Sequence, residues 1–214
     1  MLIGFEELKQ HFLLGSPKGV IHVGAHGAEE LESYVQNGVK SVAWIEANPM
    51  LAEKLINRTL AHIGSTVHFF AAHEIDNLIV ELNIANNGES SSLLDFGTHL
   101  EEHPHVNYIG KINVPTCSID TFLESKGFNR EIFDFANIDI QGAELIALRG
   151  MKKQLAFLKY LYLEVNEKPL YKGCAMIDEI DEYLFSFGFE RKETKMTHHG
   201  WGDAFYSKTL IEKN

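Results

Sequence analysis

Val20-Ile21-His22-Val23-Gly24-Ala25-His26-Gly27 is an apolar segment that runs directly into a turn of small residues. This pattern is typical of a β-strand followed by a tight turn and a helix. Roughly twenty residues later, a second apolar segment ends in a carboxylate, in the run Trp44-Ile45-Glu46-Ala47-Asn48-Pro49. Small residues let a ligand approach the backbone, and an acid at the tip of the next strand accepts hydrogen bonds from ribose hydroxyls. The two segments predict an α/β fold that binds a nucleotide-like cofactor.

The turn has the spacing Gly-x-x-Gly, formed by Gly24 and Gly27, without the third glycine of a pyrophosphate-binding turn. Dinucleotides and nucleoside triphosphates need backbone amides around their phosphates. S-adenosylmethionine has a ribose and an adenine but no phosphate, so the turn fits this cofactor better. Two alternatives stay open. The glycines can simply permit a tight turn, and an NAD-dependent oxidoreductase shares the acidic strand end.

The composition indicates one domain and disfavours charged polymers as partners. The chain has 214 residues, of which 45% are hydrophobic and 11% aromatic, so a full core can form. A net charge of −11 makes a nucleic acid or an anionic membrane a poor partner. Cys117 and Cys174 have no motif spacing, and the acidic start is unlike a secretory signal. We therefore expect free thiols, a cytoplasmic location and no transmembrane helix.

The hydrophobic periodicity of the first third of the chain predicts strands that alternate with helices. It predicts a helix over 4–14, strands over 19–23, 40–46 and 66–72, and intervening helices over 28–36 and from Pro49 onward. In the helix that begins at Pro49, the predicted buried side is formed by Leu51, Leu55 and Ile56. Residues 73–133 break this alternation with a strand at 78–84, a polar loop at 86–92 and an extended segment at 111–116. We interpret 73–133 as an insertion between strands three and four of a single domain over 1–214, preceded by a helical extension over 1–18.

The second half of the chain resumes the parallel pattern. It predicts strands over 135–140 and 160–165, helices over 144–150 and 175–187, and a final antiparallel pair over 189–195 and 203–209. Asp139 follows a buried strand, where a polar side chain costs desolvation energy and is therefore a functional candidate. Glu144 lies in the first turn of a helix, which the helix dipole alone favours. Glu164 and Asn166 repeat the polar strand end on the next strand.

These strand ends could position an acceptor hydroxyl, take its proton or hold a divalent cation. Two carboxylates are too few to predict a metal, and the spacing His99-x-x-x-His103-x-His105 is interrupted by Pro104, so no metal site is expected. The run from His198 to Asp203 is interpreted as a pocket-lining loop or a plain hairpin turn. The serines at 90–92 line the acceptor side or belong to a flexible polar loop.

The chain resembles the FkbM-type S-adenosylmethionine-dependent methyltransferases from about Val20 to Tyr206. Its Val23-Gly24-Ala25-His26-Gly27 run and the acidic strand end at Glu46 are similar to the first family motif. The most specific signature, Asp-x-Glu-Gly-x-Glu before a helix that closes with glycine, corresponds to Asp139-Ile140-Gln141-Gly142-Ala143-Glu144 and Gly150. The approach Thr116-Cys117-Ser118-Ile119-Asp120 and a strand ending in Glu164 are also similar. The family commonly has an acid at the place of His22, often Asn at His26, and commonly Glu at Gln141.

The resemblance implies a Rossmann-like class I methyltransferase fold, with a seven-stranded, mostly parallel sheet flanked by helices and one antiparallel strand near the end. It implies methyl transfer to a hydroxyl of a sugar, glycan or other small metabolite; the acceptor and the oligomeric state are left open. An alternative is a catalytically altered S-adenosylmethionine-binding module with a regulatory or structural role, which the residues at His22 and Gln141 favour.

The predicted site has three parts. Cofactor contacts are expected at His22, Gly24, Ala25, His26, Gly27, Glu46, Ala47, Asn48, His73, Asp139 and Gln141. Acceptor contacts are expected at Ser91, Ser92, Asn166 and Trp201. The candidates for catalysis are Asp139, Glu164 and His199, because alcohol methylation is helped by a base.

Overall fold

The computed structural model describes residues 1–13, 15–59, 61–62 and 64–209, so position 14 of the predicted first helix lies outside the described residues. The strands are β1 Gly19–Val23, β2 Ser41–Glu46, β3 Ser65–Phe69, β4 Ala71–Ala72, β5 Ile79–Ala85, β6 Tyr108–Cys117, β7 Phe135–Ile138, β8 Tyr160–Asn166, β9 Phe189–Met196 and β10 Trp201–Lys208. The helices are α1 Phe5–His11, α2 Leu31–Gln36, α3 Pro49–Thr59, α4 His99–Glu102, α5 Ile119–Ser125, α6 Glu144–Arg149, α7 Lys152–Leu155 and α8 Ile177–Phe185, with a 3₁₀ turn at Arg130–Ile132.

The main sheet has seven strands in the order β3-β2-β1-β7-β8-β10-β9. Strand β10 runs antiparallel to β8 and β9, and the other neighbouring pairs are parallel. This confirms the predicted sheet and its antiparallel strand near the end. Chain order reverses at β1, which lies between β2 and β7. In open parallel sheets, ligands bind outside the carboxyl ends of the strands at such a reversal.

The two faces of the sheet are covered by different helices. On one face, α1, α2 and α3 bury Phe5, Leu8, Tyr34 and Leu55 against Trp44 and neighbouring side chains. The opposite face packs against α5, α6, α7 and α8. Strands β1, β7 and β8 are buried along their whole length because helices cover both sides. A polar side chain on these strands is therefore removed from bulk water.

A second sheet, in the order β4-β6-β5, lies within the predicted insertion. The predicted third strand is wrong as one unit, since residues 65–69 stay in the main sheet while Ala71 and Ala72 pair with Thr116 and Cys117 of β6. Strands β5 and β6 form an antiparallel pair, and β6 begins at Tyr108, earlier than predicted. The assignment of 73–133 as an insertion of a single domain remains a prediction.

Side chains cap the starts of α3 and α5, and two local predictions are wrong. The Asn48 side chain accepts a hydrogen bond from the Met50 amide at the start of α3, and Ser118 Oγ accepts one from Thr121 at the start of α5. Helix α2 begins at Leu31 and not at 28, because turns occupy the residues before it. Ile56 is 47% exposed, and the buried side of α3 is Ala52, Leu55 and Thr59. None of the helices in the described ranges could span a lipid bilayer.

Candidate functional site

Two adjoining cavities open at the carboxyl ends of β1, β2, β7 and β8. The smaller cavity, about 70 Å³, lies beside the end of β2 and the loop at 88–93. The larger cavity, about 510 Å³, lies over β7, β8 and β10. Residues that line both are Gly24, His26, Glu89, Asp139 and Gln141. The two spaces therefore meet at the strand reversal that the topology marks.

Glu46 forms the polar end of the smaller cavity. Its carboxylate is 7% exposed, and it accepts hydrogen bonds from the backbone amides of His26 at 2.9 Å and Asn48 at 2.7 Å. Burial raises the pKa of Glu46, while these amides oppose that shift. Ala47 and Asn48 line the same cavity, together with the apolar side chains Ile45, Leu51, Phe70 and Leu82. An acid beside an apolar slot suits a ligand with a hydroxylated part and a flat apolar part.

Both glycines of the turn lie so close to other protein atoms that a Cβ atom would clash with them. Gly24 has φ +82°, and a Cβ there would lie 1.8 Å from the carbonyl oxygen of Asp139. A Cβ on Gly27 would lie 2.3 Å from the Glu29 carboxylate, and Gly27 lines neither cavity. That Gly27 admits a ligand stays a prediction, and at Gly24 the close approach of the Asp139 backbone already requires glycine. Ala25 is buried in the core on the α1 face.

Gln141 connects the two candidate carboxylates. Its side-chain amide donates hydrogen bonds to Asp139 Oδ1 at 2.9 Å and to Glu164 Oε2 at 2.5 Å. Its Oε1 accepts from the Tyr171 hydroxyl at 2.5 Å, and its backbone carbonyl accepts from Ser92 Oγ at 2.7 Å. The backbone holds a left-handed conformation, with φ +57°. We call the side-chain contacts of Gln141 with Asp139, Glu164 and Tyr171 the amide bridge.

Two buried acids near the amide bridge, Glu164 and Glu144, have raised pKa values. Burial and the neighbouring Asp139 carboxylate raise the pKa of Glu164 well above its ordinary value. Burial also raises the pKa of Glu144 to about 7. Glu144 Oε1 accepts from the amides of Ile140 at 3.0 Å and Gly142 at 3.1 Å, and Glu144 lines neither cavity. Glu144 therefore holds the strand-to-helix turn in place.

The larger cavity has a polar floor (His22, Asn137, Tyr162, Glu164 and Asp203). His22, Asn137 and Tyr162 lie side by side across β1, β7 and β8, and Glu164 lies opposite Asp203 of β10. The Tyr162 hydroxyl donates to the Asp203 carboxylate. Asn137 and Tyr162 are not among the predicted site residues, whereas Asp203 ends the run from His198, which is interpreted from the sequence as a pocket-lining loop or a hairpin turn. The sequence does contain a signal for such residues: two polar side chains two positions apart on a buried strand lie on the same face, as Asn137 and Asp139 do.

His22 belongs to a buried hydrogen-bonded chain. Its Nδ1 lies 3.1 Å from the Tyr34 hydroxyl, which accepts from the Asn137 amide at 3.0 Å. The ring also packs on Trp44, with centroids 4.9 Å apart. Burial lowers the pKa of His22, so the ring is neutral near pH 7. It therefore contributes a neutral ring to the floor.

Histidines form one wall of the larger cavity. His99, His103 and His105 line it, whereas His199 stacks behind His103 with centroids 4.3 Å apart. His199 Nδ1 lies 3.0 Å from Glu102 Oε2, and His199 does not line the cavity. The structure thus places this catalytic candidate outside the cavity, as a support for the wall. Within the part of the chain that the structure describes, there is no cluster of side chains arranged to hold a metal ion.

Of the remaining predicted residues, three line one of the two cavities and two line neither. Ser91 and Ser92 line the smaller cavity, which is the side of Glu46 and not the predicted acceptor side, and Trp201 lines the larger one. His73 lines neither, and its Nδ1 accepts from the Ile75 amide. Asn166 is fully buried beyond Glu164 on β8, and both polar atoms of its side chain have no hydrogen-bond partner in the structure.

Known proteins resemble this chain in sequence and in fold. Residues 22–191 match the model of the Methyltransferase FkbM domain. The 2-O-methyltransferase NoeI of Sinorhizobium fredii (strain NBRC 101917 / NGR234) is 32% identical over 98 residues, which cover 46% of this chain and 40% of that protein. The chain therefore spans less than half the length of this curated relative.

Two solved structures share the fold at low sequence identity. A SAM dependent methyltransferase from Aquifex aeolicus is 13% identical, with a TM-score of 0.52 and coverage of 95% of this chain and 89% of that one. TrmK of M. capricolum in complex with S-adenosyl-homocysteine is 11% identical, with a TM-score of 0.51 and coverage of 94% and 68%. At these identities the likeness concerns the fold alone.

Proposed function

This chain belongs to the Methyltransferase FkbM domain family, and on that premise we propose that it methylates a hydroxyl oxygen of a sugar or another small metabolite. It is an S-adenosylmethionine-dependent methyltransferase by family. Methylation at oxygen is suggested by the name of the partial relative NoeI. The observation that carries the proposal is the junction of two cavities at Asp139 and Gln141.

The residues of the smaller cavity fit an adenosyl group. Glu46 is a buried carboxylate with acceptor capacity beyond its backbone partners, as ribose hydroxyls require. Leu51, Phe70 and Leu82 would hold the adenine ring. About 70 Å³ is too little for the whole cofactor, so its remainder would extend toward the residues that both cavities share. When bound, S-adenosylmethionine supplies an electrophilic methyl group.

The larger cavity provides the groups that an acceptor hydroxyl needs. Asp139 lines both cavities, so it can accept a hydrogen bond from a hydroxyl at their junction and take its proton. The amide bridge fixes the Asp139 and Glu164 carboxyl groups against each other. Because a sulfonium is a good leaving group, alignment of the two reactants is the main requirement on the protein.

Calorimetry with S-adenosylhomocysteine tests the cofactor site. We expect Glu46→Ala to weaken binding at least about tenfold, since a hydrogen bond to a charged group contributes about 1.5–3 kcal/mol. Glu32→Ala is the matched control, because Glu32 lies at the surface with its carboxylate 62% exposed. Equal affinity of the wild type and Glu46→Ala would contradict the site. Gly24→Val would be uninformative, since its side chain would strike the Asp139 carbonyl.

A turnover assay tests the reaction itself. We expect S-adenosylhomocysteine to accumulate when hydroxylated acceptors are added, and Asp139→Asn to slow this by about 10²–10⁴-fold while cofactor binding persists. Cofactor binding without turnover on any acceptor would favour the alternative of a module that has lost catalysis. Product methylated at nitrogen or carbon would contradict methylation at oxygen.

A further inference from the structure

The larger cavity carries negative charge that no basic side chain balances. Its acidic side chains are Glu29, Glu30, Glu89, Asp139, Glu164 and Asp203, and no lysine or arginine is among the described residues that line it. Burial raises the pKa of Glu164 well above its ordinary value, so the negative charge comes mainly from the other acids. The amino group of Met1 lies 3.6 Å from Glu30, and His26 lies 3.0 Å from Glu29. Asp139, Glu164 and Asp203 form no salt bridge with a basic group among the described residues, and the Met1 amino group acts on Asp203 only at longer range. An anionic acceptor would therefore be repelled from the floor.

The amide and hydroxyl donors closest to the floor carboxylates are already used within the protein. The Gln141 amide donates to Asp139 and Glu164, the Tyr171 hydroxyl donates to Gln141, and the Tyr162 hydroxyl donates to Asp203. What remains for a ligand is mainly acceptor capacity on carboxylate oxygens, beside the second ring nitrogen of the neutral His22. A molecule that binds there must bring donors of its own.

His99 supplies a second, independent sign of a ligand. Its side chain is 5% exposed and lines the cavity, and its Nδ1 has no hydrogen-bond partner in the structure. The ring is stacked on Phe96 at 4.3 Å between centroids, which fixes its direction. Burial lowers the pKa of His99 to about 4, so the ring is uncharged near pH 7. A buried ring nitrogen without a partner is a group that a bound donor can satisfy.

Aromatic side chains complete the lining. Tyr162, Tyr171 and Trp201 all contribute to the larger cavity. Aromatic faces attract cations, and the effect grows when the cation is desolvated. Carboxylates, aromatic rings and the absence of lysine and arginine from the described lining together form the chemistry that recognises an ammonium group.

We propose that the acceptor is a hydroxylated amine, such as an amino sugar, whose ammonium group is held by the carboxylates of the larger cavity while its hydroxyl faces Asp139. This inference rests on the proposed function, because it assigns a substrate class to the same site. Such a site would reject phosphorylated and carboxylated metabolites because of their negative charge. It would prefer the amine to a neutral sugar because the amine adds one ionic contact.

Matched ligands test the proposal on the complex with S-adenosylhomocysteine. The methyl glycosides of D-glucosamine, N-acetyl-D-glucosamine and D-glucuronate carry a cationic amine, a larger neutral amide and an anionic carboxylate at C6, and calorimetry gives the affinity of each. We expect the amine to bind at least about tenfold tighter than the N-acetyl sugar, as a charged hydrogen bond implies, and the uronate to bind most weakly. Equal or tighter binding of the N-acetyl sugar or the uronate would overturn the proposal. So would no detectable binding of the amine.

Substitutions that remove a carboxylate from the larger cavity test the same ionic contact through changes in the protein. Asp203→Asn should lower amine affinity about tenfold and leave the N-acetyl sugar unchanged. Glu89→Gln removes a charge from an exposed loop without touching the core, and should lower amine affinity about threefold. Glu182→Gln, exposed on α8 away from both cavities, is the control and should have no effect. Parallel losses for amine and N-acetyl sugar in both cavity variants would contradict an ionic contact.

Failure of this proposal can be told apart from failure of the proposed function. If S-adenosylhomocysteine does not bind at all, the methyltransferase assignment of the cavity fails first. If it binds and its complex prefers the neutral or anionic sugar, only the amine preference is rejected.

Discussion

At the scale of single residues, Gln141 has the greatest influence on the site. Its amide places one neutral donor group between the carboxylates of Asp139 and Glu164. Two close carboxylates otherwise need a shared proton or a cation. The resemblance to the FkbM-type family indicates glutamate as the common residue here, so this chain has a neutral bridge where relatives commonly have a third acid.

Gln141→Glu tests that interpretation. The variant places three carboxylates within hydrogen-bond distance, so at least one must keep a proton in the folded state. Its folded pKa is then above its unfolded pKa, and the variant loses stability as pH rises through that interval. We expect a loss of about 1–3 kcal/mol at pH 8 and a smaller loss at pH 5, measured by urea unfolding. Gln141→Leu, which adds no charge, should show a loss that does not change with pH.

Glu144 gives a second pH prediction at this scale. Its folded pKa of about 7 exceeds its ordinary 4.5, so between these values the folded chain keeps a proton that the unfolded chain has released. The free energy of unfolding therefore falls as pH rises through this window, by about 3 kcal/mol. Glu164 contributes in the same direction.

Paired substitutions separate the charge of Glu144 from its hydrogen bonds. Gln at position 144 keeps an Oε1 that can accept from both Ile140 and Gly142, so Glu144→Gln should be more stable than the wild type at pH 8, by about 1 kcal/mol, with a flatter pH profile. Glu144→Ala removes both acceptors and should be destabilised at every pH. Thermal or urea unfolding from pH 5 to 8 measures both. An unchanged pH slope in Glu144→Gln would show that this carboxyl is ionised throughout.

At the scale of elements, the loop between β5 and β6 closes the smaller cavity. Ser92 is 1% exposed, and its hydroxyl donates to the Gln141 carbonyl and accepts from the Leu94 amide. Asn83 of β5 exchanges two backbone hydrogen bonds with Ser92. The loop is therefore attached to the β7–α6 turn that carries the amide bridge, so cofactor binding and acceptor positioning share one support.

Ser92→Ala tests this attachment. We expect faster amide hydrogen exchange over 86–94 and an affinity for S-adenosylhomocysteine lowered about three- to tenfold, because one buried hydrogen bond is lost. Ser125→Ala, in α5 and far from both cavities, is the control. Unchanged exchange over 86–94 would show that the Ser92 hydroxyl does not hold the loop.

The sequence predicts the structure best at positions where a single physical rule determines the local conformation or burial. The strands buried on both faces, the capped starts of α3 and α5, and the acid after β2 follow from periodicity and local chemistry. His199 was a poor candidate because its position depends on stacking against His103, which lies almost a hundred residues away along the chain. Asn137, Tyr162 and Asp203 meet through strand register, which a single sequence does not specify. The split of the third predicted strand likewise depends on pairing with β6.

At the scale of the whole molecule, charge sets which partners can approach. The chain carries −11 at pH 7, and binding to phosphates depends on basic side chains that release counterions. The fold occurs in methyltransferases of different kinds, so the architecture alone does not select a substrate. The net charge of the molecule therefore disfavours polyanions.

Filter binding with tRNA at low salt tests this prediction. We expect no saturable retention up to high micromolar protein at about 50 mM salt, conditions that strengthen any electrostatic contact. A basic tRNA-binding protein serves as the positive control for the filters. Saturable, salt-sensitive retention at low micromolar protein would show that a local basic surface outweighs the net charge.

Strands β8 and β10 line the larger cavity but contribute nothing to the smaller one. Under the proposed function, mutations on these strands at positions that do not contact Gln141 would change acceptor selectivity and leave the lining of the smaller cavity unchanged. An engineer seeking altered selectivity would randomise the inward positions of this antiparallel pair and leave the β1 and β2 tips untouched.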